Sequence, residues 1–269
     1  GASRGGFICP FTTEWARIWA EDGKLKKFFR ENPQHVLCGE VVGDNPYNFQ
    51  RDPNLAPGAH FFVFEVFSSR GQFISPEERY ALLEKYDLSG VPVRGHHCKA
   101  HMDELYNILR DLNRQKREGV VLKGQKGERR LKFVTPSTDI QDLRDTLQVG
   151  FDMDSGFFFN RYLRASLFVK ELGLDRNEYA EEIGRAFLEG TPELNDFTES
   201  SERYVIHVRE KQTWERLRDL LKAHVLIKCD SMHPAKIHGR HMVEVHFRRV
   251  YQKSSHRYRR ILNGHLHQD

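Results

Sequence analysis

The residues best suited to chemistry lie in short phrases spread over the first half of a 269-residue chain. Glu40 closes Leu37-Cys38-Gly39-Glu40; a carboxylate at a strand end accepts hydrogen bonds only, which suits ribose hydroxyls. Phe64, in a run of aromatic and β-branched residues, offers a flat face for a purine, worth about 1–3 kcal/mol. Glu118 opens Glu118-Gly119-Val120-Val121-Leu122-Lys123 at a helix-to-strand turn, where its oxygens suit a divalent cation. Lys123, and Lys132 nine residues on, fall on adjacent predicted strands. Ammonium groups there would neutralise the charge that develops when a phosphate is attacked. Each feature has an ordinary alternative: a glycine helix stop for Glu118-Gly119, core for Phe64, a solvated face for the lysines. Their order along the chain carries the argument.

These residues need elements to position them. His35–Val42 and His60–Phe67 read as strands, the second apolar on both faces and therefore expected in the middle of a sheet. Val120–Lys123 and Arg130–Val134 read as two shorter strands. Ser75-Pro76-Glu77-Glu78 predicts a capped helix over 76–86. Leu105, Ile108, Leu109 and Leu112 give one buried stripe to a helix over 103–116. Thr135-Pro136 marks a boundary. Beyond it, 137–190 is helical throughout. From about 203 the pattern is strand (204–208), helix (213–223), strand (225–228) and strand (242–251).

Taken in order, these phrases resemble the covalent nucleotidyltransferase superfamily of ligases and capping enzymes, and most specifically the archaeal-type ATP-dependent RNA ligases. Arg4-Gly5-Gly6-Phe7-Ile8-Cys9-Pro10, Gly39-Glu40-Val41-Val42-Gly43 with Asn45-Pro46-Tyr47, Phe61-Phe62-Val63-Phe64-Glu65-Val66 and Glu118-Gly119-Val120-Val121-Leu122-Lys123 carry the resemblance. It implies an α+β fold. A nucleotidyltransferase domain over 1–136 would have ATP-grasp-like antiparallel sheets with flanking helices. A helical dimerisation domain would follow over 137–200, then a small α+β domain over 201–269. It implies ATP and Mg²⁺ or Mn²⁺ as cofactors, and single-stranded RNA with a 5′-phosphate and a 3′-hydroxyl as substrate. It also implies a homodimer. Residue by residue, Arg4 would lie near the ATP and 5′-phosphate, Glu40 on the ribose and Phe64 on the adenine. Glu118 would serve metal-assisted chemistry, and Lys132 the α-phosphate. Lys123 and Arg130 would add positive charge at the nucleotide, Arg130 standing where the family often has lysine.

One departure stands out. The superfamily's nucleophile is the lysine of a Lys-x-Asp-Gly motif upstream of the arginine matched by Arg4. The tetrapeptide is absent from these 269 residues: Ala20 precedes Glu21-Asp22-Gly23, and Lys228-Cys229-Asp230 is followed by Ser231. The expectation is that an amino-terminal segment bearing it is missing here, and that this chain alone forms no lysyl-AMP. Two other readings stand beside RNA ligation. One is a DNA ligase or capping-type nucleotidyltransferase, which would usually carry an OB-fold after the second lysine. The other is a non-catalytic RNA-binding or dimerisation module.

Composition sets the limits. Lys+Arg number 42 against 38 Asp+Glu, and a net charge of +4 is too mild to mark a nucleic-acid binder by itself. With 39% hydrophobic residues the chain can bury a real core. No run approaches the ~18 apolar residues of a membrane span, and no signal-peptide pattern opens the sequence. Cys9, Cys38, Cys98 and Cys229 are scattered without a C-x-x-C pair, which fits a reducing cytoplasm. The histidines of Gly95-His96-His97-Cys98-Lys99-Ala100-His101 and those after residue 230 lack zinc spacing, so a polar loop is expected at the first and no metal at either. Arg248, Arg249, Lys253, Arg257, Arg259 and Arg260, interleaved with Phe247, Tyr251 and Tyr258, are expected to contact RNA through phosphates and stacked bases.

Overall fold

A computed structural model describes residues 6–47, 55–68, 70–97, 102–124, 129–193, 197–223 and 225–265. The chain runs α1 (Pro10–Glu21), α2 (Lys24–Glu31), β1 (Val36–Gly43), β2 (Ala59–Phe67), α3 (Pro76–Lys85), α4 (Met102–Arg114), β3 (Gly119–Lys123), β4 (Arg130–Val134) and α5 (Pro136–Thr146). A 3-10 turn at Leu147–Asp152 leads to α6 (Ser155–Glu171) and α7 (Arg176–Gly190). β5 (Ser201–Val208), α8 (Lys211–Leu221), β6 (Leu226–Ile237), β7 (Arg240–Val250) and α9 (Gln252–Leu262) complete it. The fold is α+β, as expected. β1 pairs with β2 and β3 with β4, both antiparallel, and a third sheet has the order β5-β7-β6. Ser75 caps α3 through a capping box: its hydroxyl accepts from the Glu78 N–H at 3.2 Å, and the Glu78 carboxylate accepts from the Ser75 N–H at 3.0 Å.

These elements form two compact units, each assembled from discontinuous segments. One takes the chain up to Pro92 together with Glu202–Val250; the other takes Val93–Lys123, Arg130–Ser201 and the chain from Tyr251 onward. This division is by contact and is not the linear one with boundaries at 136 and 200 that the resemblance implies.

In the first unit, α1 sends Phe11, Trp15 and Ile18 into a core shared with Tyr204, Ile206 and Val208 of β5, Trp214 and Leu217 of α8, and Val245 and Phe247 of β7. Each such side chain gains about 1.5–3 kcal/mol on burial. Polar groups pin the same contact. Trp15 Nε1 donates to the His207 carbonyl at 3.0 Å. The Glu14 carboxylate accepts from the Arg209 N–H and the Thr213 hydroxyl, both at 2.6 Å, at the start of a helix whose own N-cap side chain makes no bond. A second cluster packs Leu37 of β1, Val63 and Val66 of β2, and Leu83 and Tyr86 against Phe28 of α2. The far edge of β2 is also occupied: Val63 donates to the Ser89 carbonyl at 2.8 Å and accepts from Val91 N–H at 3.0 Å. β2 is thus flanked on both sides, although the sheet itself has two strands.

In the second unit, one face of the β3–β4 hairpin, through Val120, Leu122 and Phe133, packs on Leu105 and Leu109 of α4 and Phe168 and Leu172 around the end of α6. α5 and α6 are joined by Arg161 Nε to Asp142 at 2.8 Å and Arg164 Nε to Asp139 at 3.2 Å. α9 docks here as well. Tyr258 donates to the Leu147 carbonyl at 2.9 Å and packs its ring 5.3 Å from Phe151. The expectation that aromatics in the basic tail stack on bases therefore fails for these rings. Phe247 is core, stacked on Tyr204 at 5.0 Å, and Tyr251 is buried. Tail arginines also have protein partners: Arg248 binds Asp230 at 2.9–3.0 Å, Arg249 donates to the Pro46 carbonyl, and Arg259 donates to the Thr198 carbonyl at 3.1 Å.

Candidate functional site

The β3–β4 hairpin gathers the predicted phosphate-binding residues of the second unit. In its register Lys123 lies opposite Arg130 and Val121 opposite Lys132. Because side chains alternate along a strand, Lys123, Arg130 and Lys132 share one face, and the other face carries the apolar residues that meet α4. At the near end Lys132 Nζ donates to Glu118 Oε1 at 2.6 Å, with both side chains more than half exposed. Two groups singled out from distant phrases thus meet as an ion pair, open to solvent.

Gly119 is what allows this geometry, and it is not a helix stop. α4 ends earlier, at Arg114, where Lys116 takes φ 53° and Arg117 N–H donates to the Leu112 carbonyl at 2.9 Å. Gly119 sits at φ 144°, and a Cβ there would stand 1.9 Å from the Phe133 carbonyl oxygen. Only glycine lets the two strands close directly beside Glu118. Thr135 then clamps this same end: its N–H donates to the Glu118 carbonyl at 2.8 Å and its hydroxyl to the Arg117 carbonyl at 2.6 Å.

In the first unit Glu40 and Phe64 lie on the β1–β2 pair. Glu40 is exposed, opposite Phe62 in register. Gly39 pairs with Val63, but Cys38 pairs with Glu65, so Phe64 is the extra residue of a β-bulge. Its ring is partly buried. Gly39 is needed opposite the bulge, since a Cβ there would approach the Phe62 carbonyl oxygen and the Phe61 ring at 2.5 Å. Arg4 lies outside the described residues.

Sequence reasoning missed three groups of the first unit. Arg79 of α3 is buried beneath the bulge. Its Nη1 donates to the Phe64 carbonyl at 2.5 Å and stands 3.8 Å from the Glu65 carboxylate. Asp44, just past β1, hydrogen-bonds His207 Nδ1, and His207 Nε2 reaches Glu244 Oε2 at 3.0 Å. Burial works against a charged His207, yet the Asp44 and Glu244 carboxylates outweigh it and hold the imidazole above its ordinary pKa. The hydrogen bond from His246, opposed by burial and helped by His207, holds Glu244 below the ordinary carboxylate range. The signal for Asp44 lay inside the quoted phrase between Gly43 and Asn45. His207 and Arg79 carry no local signature, because a buried polar group is recognised by partners far away in sequence.

The donor set bears on a metal. Among the described residues there is no group of three or more His, Cys, Asp or Glu able to hold an ion. Glu118 offers a single exposed carboxylate. That fits a hard divalent cation carried mainly by substrate phosphates and touched by one protein oxygen.

The comparisons bear on both units. Residues 2–134 match the family model described as RNA ligase, and residues 146–265 match the C-terminal region of ligase Pab1020. Among solved structures, the chain is similar to an archaeal ATP-dependent RNA ligase at 32% identity and TM-score 0.83, covering 98% of this chain and 71% of that one. It is similar to a putative ATP-dependent DNA ligase from Aquifex aeolicus at 28% identity and TM-score 0.85, covering 99% and 75%. An uncharacterized protein of Methanocaldococcus jannaschii, MJ0414, is 27% identical over 98% of this chain and 70% of its own length. Fold and matches together define a ligase of the nucleotidyltransferase type. The chain belongs to the archaeal-type ATP-dependent RNA ligase family. No helix among the described residues is long and apolar enough to cross a membrane.

Proposed function

We propose that this protein joins RNA 5′-phosphate and 3′-hydroxyl ends, circularising single-stranded RNA, through lysyl-AMP and adenylylated RNA. The observation that carries the reading is the Glu118–Lys132 contact on a hairpin face that also holds Lys123 and Arg130. A carboxylate paired with one cation, on a hairpin face that carries two more, suits a phosphate that gains charge during attack. Lys132 binds the α-phosphate, with Lys123 and Arg130 supplying further charge. Glu40 accepts from the ribose hydroxyls and Phe64 stacks on adenine, while Arg4 meets the 5′-phosphate. Mg²⁺ or Mn²⁺, held by the nucleotide phosphates and Glu118, supplies additional charge neutralisation when bound. The attacking amine belongs to a lysine outside these 269 residues. AMP then passes to the RNA 5′-phosphate, and the 3′-hydroxyl displaces it.

The reaction is tested by incubating a chain extended to include Lys-x-Asp-Gly with ATP, Mg²⁺ and 5′-phosphorylated single-stranded RNA. Circles support the full reading, and linear dimers favour intermolecular joining. Efficient joining of DNA ends in preference to RNA would move it toward the DNA ligase that the chain resembles. The 269-residue chain alone is expected to form no covalent adenylate with labelled ATP; a labelled band on it would overturn that part. Binding without joining by the extended chain would leave an RNA-binding module.

We further propose a cytoplasmic homodimer. Support comes from α6, where Phe159, Tyr162, Leu163 and Leu167 are exposed at helical spacing, with Phe187 and Leu188 exposed on α7. Leu163→Lys with Leu167→Lys should lower the sedimenting mass at micromolar concentration. A wild-type chain that sediments as a monomer there would exclude the dimer. Arg257, Arg259 and Arg260 of α9 are proposed to contact RNA phosphates, and neutralising them should flatten the salt dependence of RNA binding.

A further inference from the structure

We infer that Arg79 is a positioning residue for nucleotide binding, acting through the backbone of Phe64. The inference rests on the reading of Phe64 as the adenine platform.

A β-bulge has a cost and a use. The extra residue drops out of the ladder, so its backbone groups lose their strand partners, while its side chain is turned away from the alternation of its neighbours. A carbonyl left unpaired near a core costs about 1–3 kcal/mol, and a bulge held only by its own turn would let the side chain wander. At Phe64 the carbonyl is engaged from another element. Arg79 reaches from α3 and gives its Nη1 hydrogen to the Phe64 carbonyl at 2.5 Å. Its second nitrogen donates to the Tyr80 hydroxyl at 2.9 Å, with the guanidinium 4.8 Å above that ring. The next residue of the bulge, Glu65, supplies the countercharge at 3.8 Å, and both side chains are about 95% buried.

The guanidinium is thus held on one side by a ring and on the other by a carboxylate. It has the planar fork that lets one group serve several acceptors at fixed angles. Fixing the carbonyl of Phe64 fixes the peptide plane and with it the direction of the Cα–Cβ bond, from which the ring hangs. A stacking contact depends on that plane, whereas a contact to phosphate oxygens does not. Arg79 should therefore matter for the base end of a nucleotide and not for its phosphates. α3 belongs to one unit and the Glu118–Lys132 pair to the other, so the two ends can be probed apart.

The experiment titrates the 269-residue chain with ATP and with inorganic tripolyphosphate, which lacks the base. Removing Arg79 alone would take the guanidinium from beside the buried Glu65 carboxylate and endanger folding, so the principal variant removes the pair together, Arg79→Met with Glu65→Leu. Arg79→Lys keeps the charge for Glu65 and loses the fork. The paired variant should weaken ATP binding about tenfold, the scale of one lost stacking contact, with tripolyphosphate changed less than about twofold. In a Phe64→Ala background the same pair should change ATP affinity by less than about twofold, because the platform it orients is gone. Arg79→Lys should fall between wild type and the pair while keeping the melting temperature. Equal losses for both ligands, or an undiminished loss in the Phe64→Ala background, would overturn the inference and leave the nucleotide site intact. Should Phe64→Ala itself leave ATP affinity at the wild-type value, the adenine platform falls and the role of Arg79 falls with it.

Discussion

Two strand pairs carry the candidate chemistry, and they hold it in opposite ways. The β3–β4 hairpin is regular over its whole register, and its cations share one face, Arg130 and Lys132 exposed and Lys123 partly buried. The β1–β2 pair is broken by a bulge at Phe64 and secured by an ion pair sealed from water. Charged groups that must meet a mobile, hydrated phosphate are served by a regular ladder, where pleat alone aims them. A ring that must present one plane needs its backbone held, and a ladder interrupted at that point needs support from another element.

The largest effect expected from this contrast is on chemistry. In a chain extended to carry Lys-x-Asp-Gly, Lys132→Ala or Glu118→Ala should reduce adenylate formation by about 10²–10³-fold or more, the scale of losing a group aimed at developing charge. Both residues are exposed, so the melting temperature should hardly change. Wild-type labelling by both variants would remove them from the site. Gly119→Ala comes next. Its Cβ has no room at the Phe133 carbonyl, and the hairpin should lose about 3 kcal/mol, read as lost hydrogen-exchange protection in β3 and β4 with the first unit's core unaffected.

The third effect is specific to the other pair. β1 leads into Asp44, and His207 binds it, so this region's stability should depend on pH. The folded-state pKa of His207 is raised, so its contribution is full below the ordinary imidazole value of 6.5 and fades as pH climbs through the raised one. Glu244 is lowered from 4.5, so its contribution is present above that value and fades as the solution becomes more acid. Stability of the first unit should peak between these limits. His207→Gln should cost about 2 kcal/mol near pH 6 and flatten the alkaline decline, as denaturant titrations across pH would record. An unaltered alkaline limb in that variant would assign the decline to another group. At the small end, Leu131→Gln on the exposed strand β4 should shift stability by no more than about 0.5 kcal/mol.

The contrast also explains what the sequence made legible. Strands β1 to β4 and helices α3 and α4 follow from period, caps and turn residues, all local. The hairpin's shared basic face was readable because Lys123, Arg130 and Lys132 need only alternation to lie on it. The bulge was not, because no residue near Phe64 announces a skipped partner, and the side chain that reaches its carbonyl, Arg79, lies fifteen residues away. α1 and α2 went unread for a related reason. Neither N-cap residue, Cys9 or Gly23, makes a side-chain capping bond, and neither first turn carries an acid. The basic tail misled because alternating arginine and aromatic residues describe a nucleic-acid surface and a packed helix or strand equally well. Only the depth of Phe247 and Tyr251 separates the two.

Trp15 rests on a carbonyl 192 residues further along the chain. During translation at about 5–20 residues per second, α1 therefore leaves the ribosome roughly 10–40 seconds before the strands that cover it exist. For that interval a greasy helix of Phe11, Trp15 and Ile18 lacks the part of its core that β5, α8 and β7 supply. Until those elements are made, the nascent polypeptide must shield that face by other means or leave the helix unfolded.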